Sequence, residues 1–137
     1  MKTFISILLS SILLMTTCES VSYEEVNYYI QNDSDETIYI QYYKDHTYFC
    51  IHDISTCDSI NKSETFKGTI DIYEDQSAED INDYVYIFKK STLEKYTIEE
   101  IERKKMYDAH YVFNALDCEN NKNNYVVFKD KSCNSYL

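Results

Sequence analysis

Five cysteines and three histidines carry most of the chemistry open to this chain: Cys18, Cys50, Cys57, Cys118 and Cys133, with His46, His52 and His110. Cysteine can take a lipid, close a disulfide, bind a soft metal or act as a nucleophile, and spacing and compartment choose among these. Cys18 stands apart from the rest. It follows an apolar run of about 12 residues, "FISILLSSILLM" at 4–15, behind Lys2. That is the length of a signal-peptide core, well short of the ~20 residues of a spanning helix. No small-x-small cleavage site follows. "MTTC", Met15–Cys18, instead has the layout of a bacterial lipobox, with Met in place of the usual Leu and Thr17 in place of a smaller residue. The expectation is a signal peptide over 1–17, a lipidated tether over 18–24 beginning at Cys18, and a single β-rich domain over 25–137. More than one acyl chain on Cys18 would anchor the protein stably to a membrane. The alternative is a secreted, soluble module without lipid.

Setting Cys18 aside leaves an even number of cysteines in an exported chain, which reads as two disulfides. Three pairings are open. The local one, Cys50–Cys57 with Cys118–Cys133, is favoured because each pair brackets a polar, turn-like segment, "CIHDISTC" and "CENNKNNYVVFKDKSC". Such loops are worth about 2.5 and 3 kcal/mol on the chain-entropy account. A zinc site from His46, Cys50, His52 and Cys57 is disfavoured, because structural zinc motifs use tighter pairs. A thiol nucleophile at Cys50 with His52 as base lacks an orienting third group. The chain has no G-x-S-x-G, no H-E-x-x-H and no glycine-rich phosphate loop. With one glycine in 137 residues, a backbone phosphate cradle is hard to build. No enzyme activity, metal or cofactor is expected.

The charge narrows the partners. The full chain carries −11, and loss of residues 1–17 removes Lys2 and no acid, giving −12. Such a surface repels phosphate backbones, which excludes nucleic acid. Acids at Asp33–Glu36 and between Asp71 and Asp83 offer oxygen ligands for calcium, but no EF-hand spacing is met, and the plainer reading is solvated loops. "NDS" and "NKS" make Asn32 and Asn61 glycosylation sequons, relevant only in a eukaryotic secretory route.

The elements that must position these residues are mostly strands. Fifteen tyrosines, no tryptophan and no proline suit half-buried sheet. "EVNYYIQ" and "TIYIQYY" each alternate with period two, and the "NDSDE" turn between them predicts a hairpin. "TYFCIH", Thr47–His52, predicts a third strand. "ETFKGTIDIY", Glu64–Tyr73, predicts a fourth, with Gly68 at a bulge. "YVYIF" is apolar or aromatic on both faces and predicts a central strand. "HYVFN" and "NYVVFK" predict two late strands. One helix is expected over 97–106. Thr97 is its N-cap and Glu100 completes a capping box, while Tyr96 and Ile101 form a hydrophobic staple. The sum is a mainly β (α+β) fold, a small antiparallel β-sandwich or barrel-like sheet with one short helix.

The segment "YVYIFKKSTLEKYTIEEIERKKMYDAHYVF" resembles a family of short lipoproteins of Gram-negative gut-type bacteria that has no assigned activity. The family shares an N-terminal hairpin like "NYYIQNDSDETIYIQYY", a strand ending in Ile-Phe (here Ile87–Phe88), a Thr-Leu-Glu-Lys-Tyr stretch (Thr92–Tyr96) and a short helix (here Thr97–Ile101). "TLEKYTIEEI" is the most specific part. Ile98 stands where the family has Trp, Lys89 where it has Asp, and Tyr125 where a C-terminal Trp is expected. The four later cysteines are not a family feature. The resemblance implies a cell-envelope lipoprotein, an outer-membrane one above all, and adds no activity.

One binding feature comes from the tyrosines. Tyr39 and Tyr43 share the face opposite Ile38 and Ile40. Left open, that face is a candidate aromatic platform for a protein or glycan partner; packed between layers, it is core.

Overall fold

The structure is a computed structural model that describes residues 22–44 and 53–130. The predicted strand Thr47–His52, with His46, lies outside the described residues, as do Cys18, Cys50 and Cys133. Seven strands are present among the described residues: β1 (Tyr23–Asn32), β2 (Ile38–Tyr43), β3 (Asp58–Ile60), β4 (Thr65–Tyr73), β5 (Asn82–Lys89), β6 (Ala109–Asn114) and β7 (Tyr125–Phe128). They form two sheets, three-stranded β4-β1-β7 and four-stranded β3-β2-β5-β6. All pairings are antiparallel except β1 with β7. The fold is mainly β, in the manner of a small sandwich. The first strand starts at Tyr23, inside the stretch assigned to the tether.

Period-two patterning explains the main core. Val26, Tyr28 and Ile30 of β1 and Ile70 of β4 face Ile38, Ile40, Val85, Ile87 and Phe113 of the other sheet, all buried. Each fully buried aliphatic side chain contributes roughly 1.5–3 kcal/mol. β5 has a second buried face as well. Its Tyr86 and Phe88 point outward and are covered by two short helices, α1 (Lys90–Lys95) and α2 (Ile98–Lys104), through Leu93, Ile98 and Ile101, and by Tyr96 and Met106 at their ends. This accounts for the run "YVYIF", apolar on both faces, as the central strand between β2 and β6.

The expected hairpin does not form. β1 and β2 belong to different sheets, and the chain crosses between layers at the corner from Asn32 to Thr37. Alternation states which residues share a face; it does not state which strand is the neighbour. The corner itself is built on Asn32, which is fully buried. Its amide donates to the carbonyls of Glu36 (2.9 Å) and Ile60 (3.2 Å). Its Oδ1 accepts from the backbone N–H (3.0 Å) and hydroxyl (2.6 Å) of Ser34, an Asx turn. A glycan on Asn32 is incompatible with this packing. Asn32→Ala strands several buried polar groups at once and is expected to cost about 2–3 kcal/mol. A urea midpoint unchanged by the substitution would show that the corner holds without the side chain.

Gly68 is not at a bulge. The β1–β4 register runs unbroken through Tyr28 opposite Gly68, and the missing side chain makes room for the Tyr28 ring.

The capping box of α2 forms as expected. Thr97 accepts from the N–H of Glu100 at 3.3 Å, the Glu100 carboxylate accepts from the N–H of Thr97 at 3.1 Å, and Lys105 closes the helix in the left-handed region at φ 50°. Two further helices exceed the sequence reading. α1 has no local cap; its N–H at Ser91 is taken by the Glu36 carboxylate at 2.7 Å, from the corner between sheets. α3 (Ala115–Glu119) is capped by Asn114, whose Oδ1 accepts from Leu116 and Asp117. The Asn114 amide also donates to the carbonyl of Glu79 at 2.9 Å, which ties the acidic loop to this helix.

Candidate functional site

Cys57 and Cys118, the two described cysteines, are free thiols. Cys118 sits on α3 and is only 4 % exposed, part of the core between the sheets. Burial, with Asp117 and Asp83 adding to it, pushes its thiol up to about 11. Cys57 is half-buried and its Sγ–H donates to Gln41 Oε1 at 3.4 Å. Burial raises its pKa too, with Asp58 and Asp53 adding. Both are therefore held as thiols rather than thiolates at neutral pH, the inert form. The bonds Cys50–Cys57 and Cys118–Cys133 each have one end outside the described residues. Among the described residues no group of three or more His, Cys, Asp or Glu side chains could hold a metal ion.

The candidate aromatic face lies where the sequence put it. Tyr39 and Tyr43 point away from Ile38 and Ile40, on the outer face of the four-stranded sheet. Both are half-buried, packed against the cluster that α1 and α2 help to cover. Cross-strand pairing extends the row. Tyr39 stands beside Phe88, Tyr43 beside Tyr84, and Tyr86 beside His110. The Tyr86 and His110 rings stack at 4.5 Å, and Tyr43 meets Tyr86 edge-on at 5.9 Å. Burial lowers the His110 pKa, which keeps the imidazole neutral at physiological pH.

Residues the sequence reading did not single out extend this row around the sheet edge. Tyr107 lies after the left-handed cap of α2. The residue is 39 % exposed and its ring meets Tyr86 edge-on at 5.2 Å. Asp108 follows, its N–H bonded to the carbonyl of Ile87 (2.8 Å) and its carboxylate accepting from the N–H of Lys89 (2.8 Å). Two depressions flank this pair. A cleft of about 360 Å³ opens between the edge strands β6 and β7, walled by Tyr107, Tyr111, Phe128 and the Lys89–Asp130 pair. A second, of about 520 Å³, is bounded by Ser91, Thr92, Lys95, Tyr96 and Met106, with Tyr107 and Asp108 shared. Both fall in the usual size range of small-molecule sites, about 300–1,000 Å³.

Lys89 is the electrostatic pin of this region. It hydrogen-bonds Asp130 and lies 3.8 Å from Glu36. The bond to Asp130 holds the ammonium above its usual pKa and the Asp130 carboxyl below its own. Asp130 also accepts from the N–H of Asp35 at 2.9 Å, so the end of β7 is fastened to the corner between sheets.

The most perturbed carboxyl lies elsewhere, inside the sandwich. Asp83 is 1 % exposed, accepts from the Tyr28 hydroxyl at 3.3 Å, and leaves its Oδ1 buried without a partner. Burial pushes its carboxyl up to about 6; the Tyr28 bond and Lys44 pull the other way, and Asp71 adds to the rise. The Tyr28 phenol is driven far above its usual value, by burial first and by Asp83 second. The sequence placed Asp83 at the end of a solvated acidic loop. In the strand it takes an inward position opposite Phe113.

No protein-family model, curated protein or solved structure matches this chain.

Proposed function

We propose that this chain is a non-enzymatic cell-envelope lipoprotein whose β-rich domain is a surface binding module. The anchoring half of the reading rests on Lys2, the apolar run at 4–15 and "MTTC" ending at Cys18, together with the resemblance to short bacterial lipoproteins. The folded strand β1 begins at Tyr23, close behind that cysteine. The binding half is carried by one observation, the half-buried aromatic row of the four-stranded sheet beside two depressions at Tyr107. Rings held in place before a partner arrives give contact area at little ordering cost. Chemistry is poorly served by comparison. Asp83, the carboxyl with the most raised pKa, is sealed with Tyr28 between the sheets and lines neither depression. The two described thiols are held protonated.

The intact mass of the protein from its native host tests the anchoring. The expected result is a chain beginning at Cys18 with acyl chains added. An unlipidated mass beginning beyond Cys18 would replace the anchor with a secreted, soluble module. Alkylation before and after reduction, in the same samples, reads out the state of Cys50, Cys57, Cys118 and Cys133.

A further inference from the structure

The region around Tyr107 has a chemical character that restricts its ligand. Both signs of charge line it: Lys89 is paired with Asp130 and Glu36, Lys129 with Asp33, and Lys95 and Asp108 stand beside them, while the whole chain carries −11. A polyanion would be repelled at range by the chain. A cation would find too few ligands, since among the described residues no group of three or more His, Cys, Asp or Glu side chains could hold a metal ion. A wholly apolar ligand would strip water from this polar rim without replacing its hydrogen bonds. What remains is a neutral molecule with apolar faces and many hydroxyls. The walls have the matching alternation: the rings of Tyr96, Tyr107 and Tyr111 sit among the hydroxyls of Ser91 and Thr92 and the carboxylate of Asp108. The Tyr107 ring is set before binding by its edge-on contact with Tyr86 and by His110 at 5.8 Å.

We propose that the two depressions on either side of Tyr107 form one site for a neutral saccharide, with the Tyr107 ring as the platform for a sugar face and Asp108 accepting from sugar hydroxyls. This rests on the binding-module reading and names its ligand class. The aliphatic C–H face of a pyranose covers the ring, and its equatorial hydroxyls reach the polar rim on both sides. The two depressions meet at Tyr107 and Asp108, so the ridge carries one sugar unit and each depression has room for a neighbouring unit.

The test is saturation-transfer NMR on the full chain with neutral trisaccharides of glucose, mannose, galactose and N-acetylglucosamine, and a galacturonate trimer as the charged control. At least one neutral trimer should receive saturation and shift the ring resonances of Tyr107 and Tyr111, and the galacturonate trimer should not. Tyr107→Ala should weaken that binding by about tenfold or more, the loss of one aromatic contact. Tyr107→Phe should retain it, as should Tyr125→Ala, which removes a more exposed tyrosine from the other sheet. The idea is overturned if no neutral trimer receives saturation, or if transfer leaves the Tyr107 and Tyr111 resonances unmoved. Those shifts are read on the unsubstituted chain, so the outcome stands even if a variant fails to fold. A lipidated mass together with silent trimers would remove the saccharide and leave the envelope-module reading intact.

Discussion

Gly68→Ala is expected to cost about 3 kcal/mol or more, a large share of the roughly 5–15 kcal/mol that holds a domain together. A Cβ at this position would lie inside contact distance of Tyr28 Cζ and Cε2, and 2.5 Å from its hydroxyl. The tyrosine cannot step aside. Its ring stacks on Phe113 at 4.1 Å, it has Phe66 at 6.3 Å, and its hydroxyl is bonded to Asp83. Either β4 moves away from β1 or Tyr28 leaves the core, and each route gives up buried area. The penalty belongs to the pair, so a double-mutant cycle isolates it. In a Tyr28→Leu background, Gly68→Ala should cost less than about 1 kcal/mol, because the atoms it would strike are gone. Urea unfolding of the four proteins gives the answer. Equal penalties in both backgrounds would mean that the glycine serves the strand for some other reason.

Asp83→Asn should stabilise the fold at about pH 8 and remove a pH dependence that the parent chain shows. The sign follows from burial. The folded carboxyl titrates near 6 against 3.8 for the exposed group, so the folded state retains a proton that the unfolded state releases. Its contribution is fully present below about pH 4 and is lost as pH rises through 6. Over that window the parent chain should lose about 3 kcal/mol at this one group. Asparagine carries no charge to desolvate. Its amide nevertheless inherits the buried position of the unpartnered Oδ1, which trims the gain at about pH 8 to roughly 1–2 kcal/mol. Unfolding free energies at about pH 4.5 and 8 for both proteins suffice, since the difference between the two curves cancels the other acids. Curves that run parallel would show that Asp83 is solvated after all.

The local features of this fold were legible and the non-local ones were not. The capping box at Thr97 and Glu100 is written within four residues, and it forms. The alternation of β1, β2 and β4 and the two-faced burial of β5 are properties of single strands, and they hold. Pairing is a property of the whole chain. The same inward residues Ile30 and Ile38 serve a hairpin or a crossing between sheets, and the buried turn at Asn32 decides. α1 is six residues long and owes its cap to Glu36, 55 positions before Ser91. A three-residue strand such as β3 is too short to alternate visibly. The aromatic face at Tyr39 and Tyr43 was readable because it lies on one strand. The depression beside Tyr107 was not, because Lys89, Tyr107 and Asp130 meet only once both sheets and the loop after α2 are in place.

The parallel partnership of β1 with β7 sets an order of events for a chain that emerges from one end. β1 is the middle strand of its sheet, yet one of its two neighbours is the last strand described, with Tyr29 beside Tyr125. A newly made chain therefore carries an open, aromatic strand edge until β7 has followed. Closing a contact between such distant residues is slow, and unpaired edges attract other chains in the meantime. β7 thus acts as a latch, and a chain cut short after β6 would present β1 as a template for pairing between molecules.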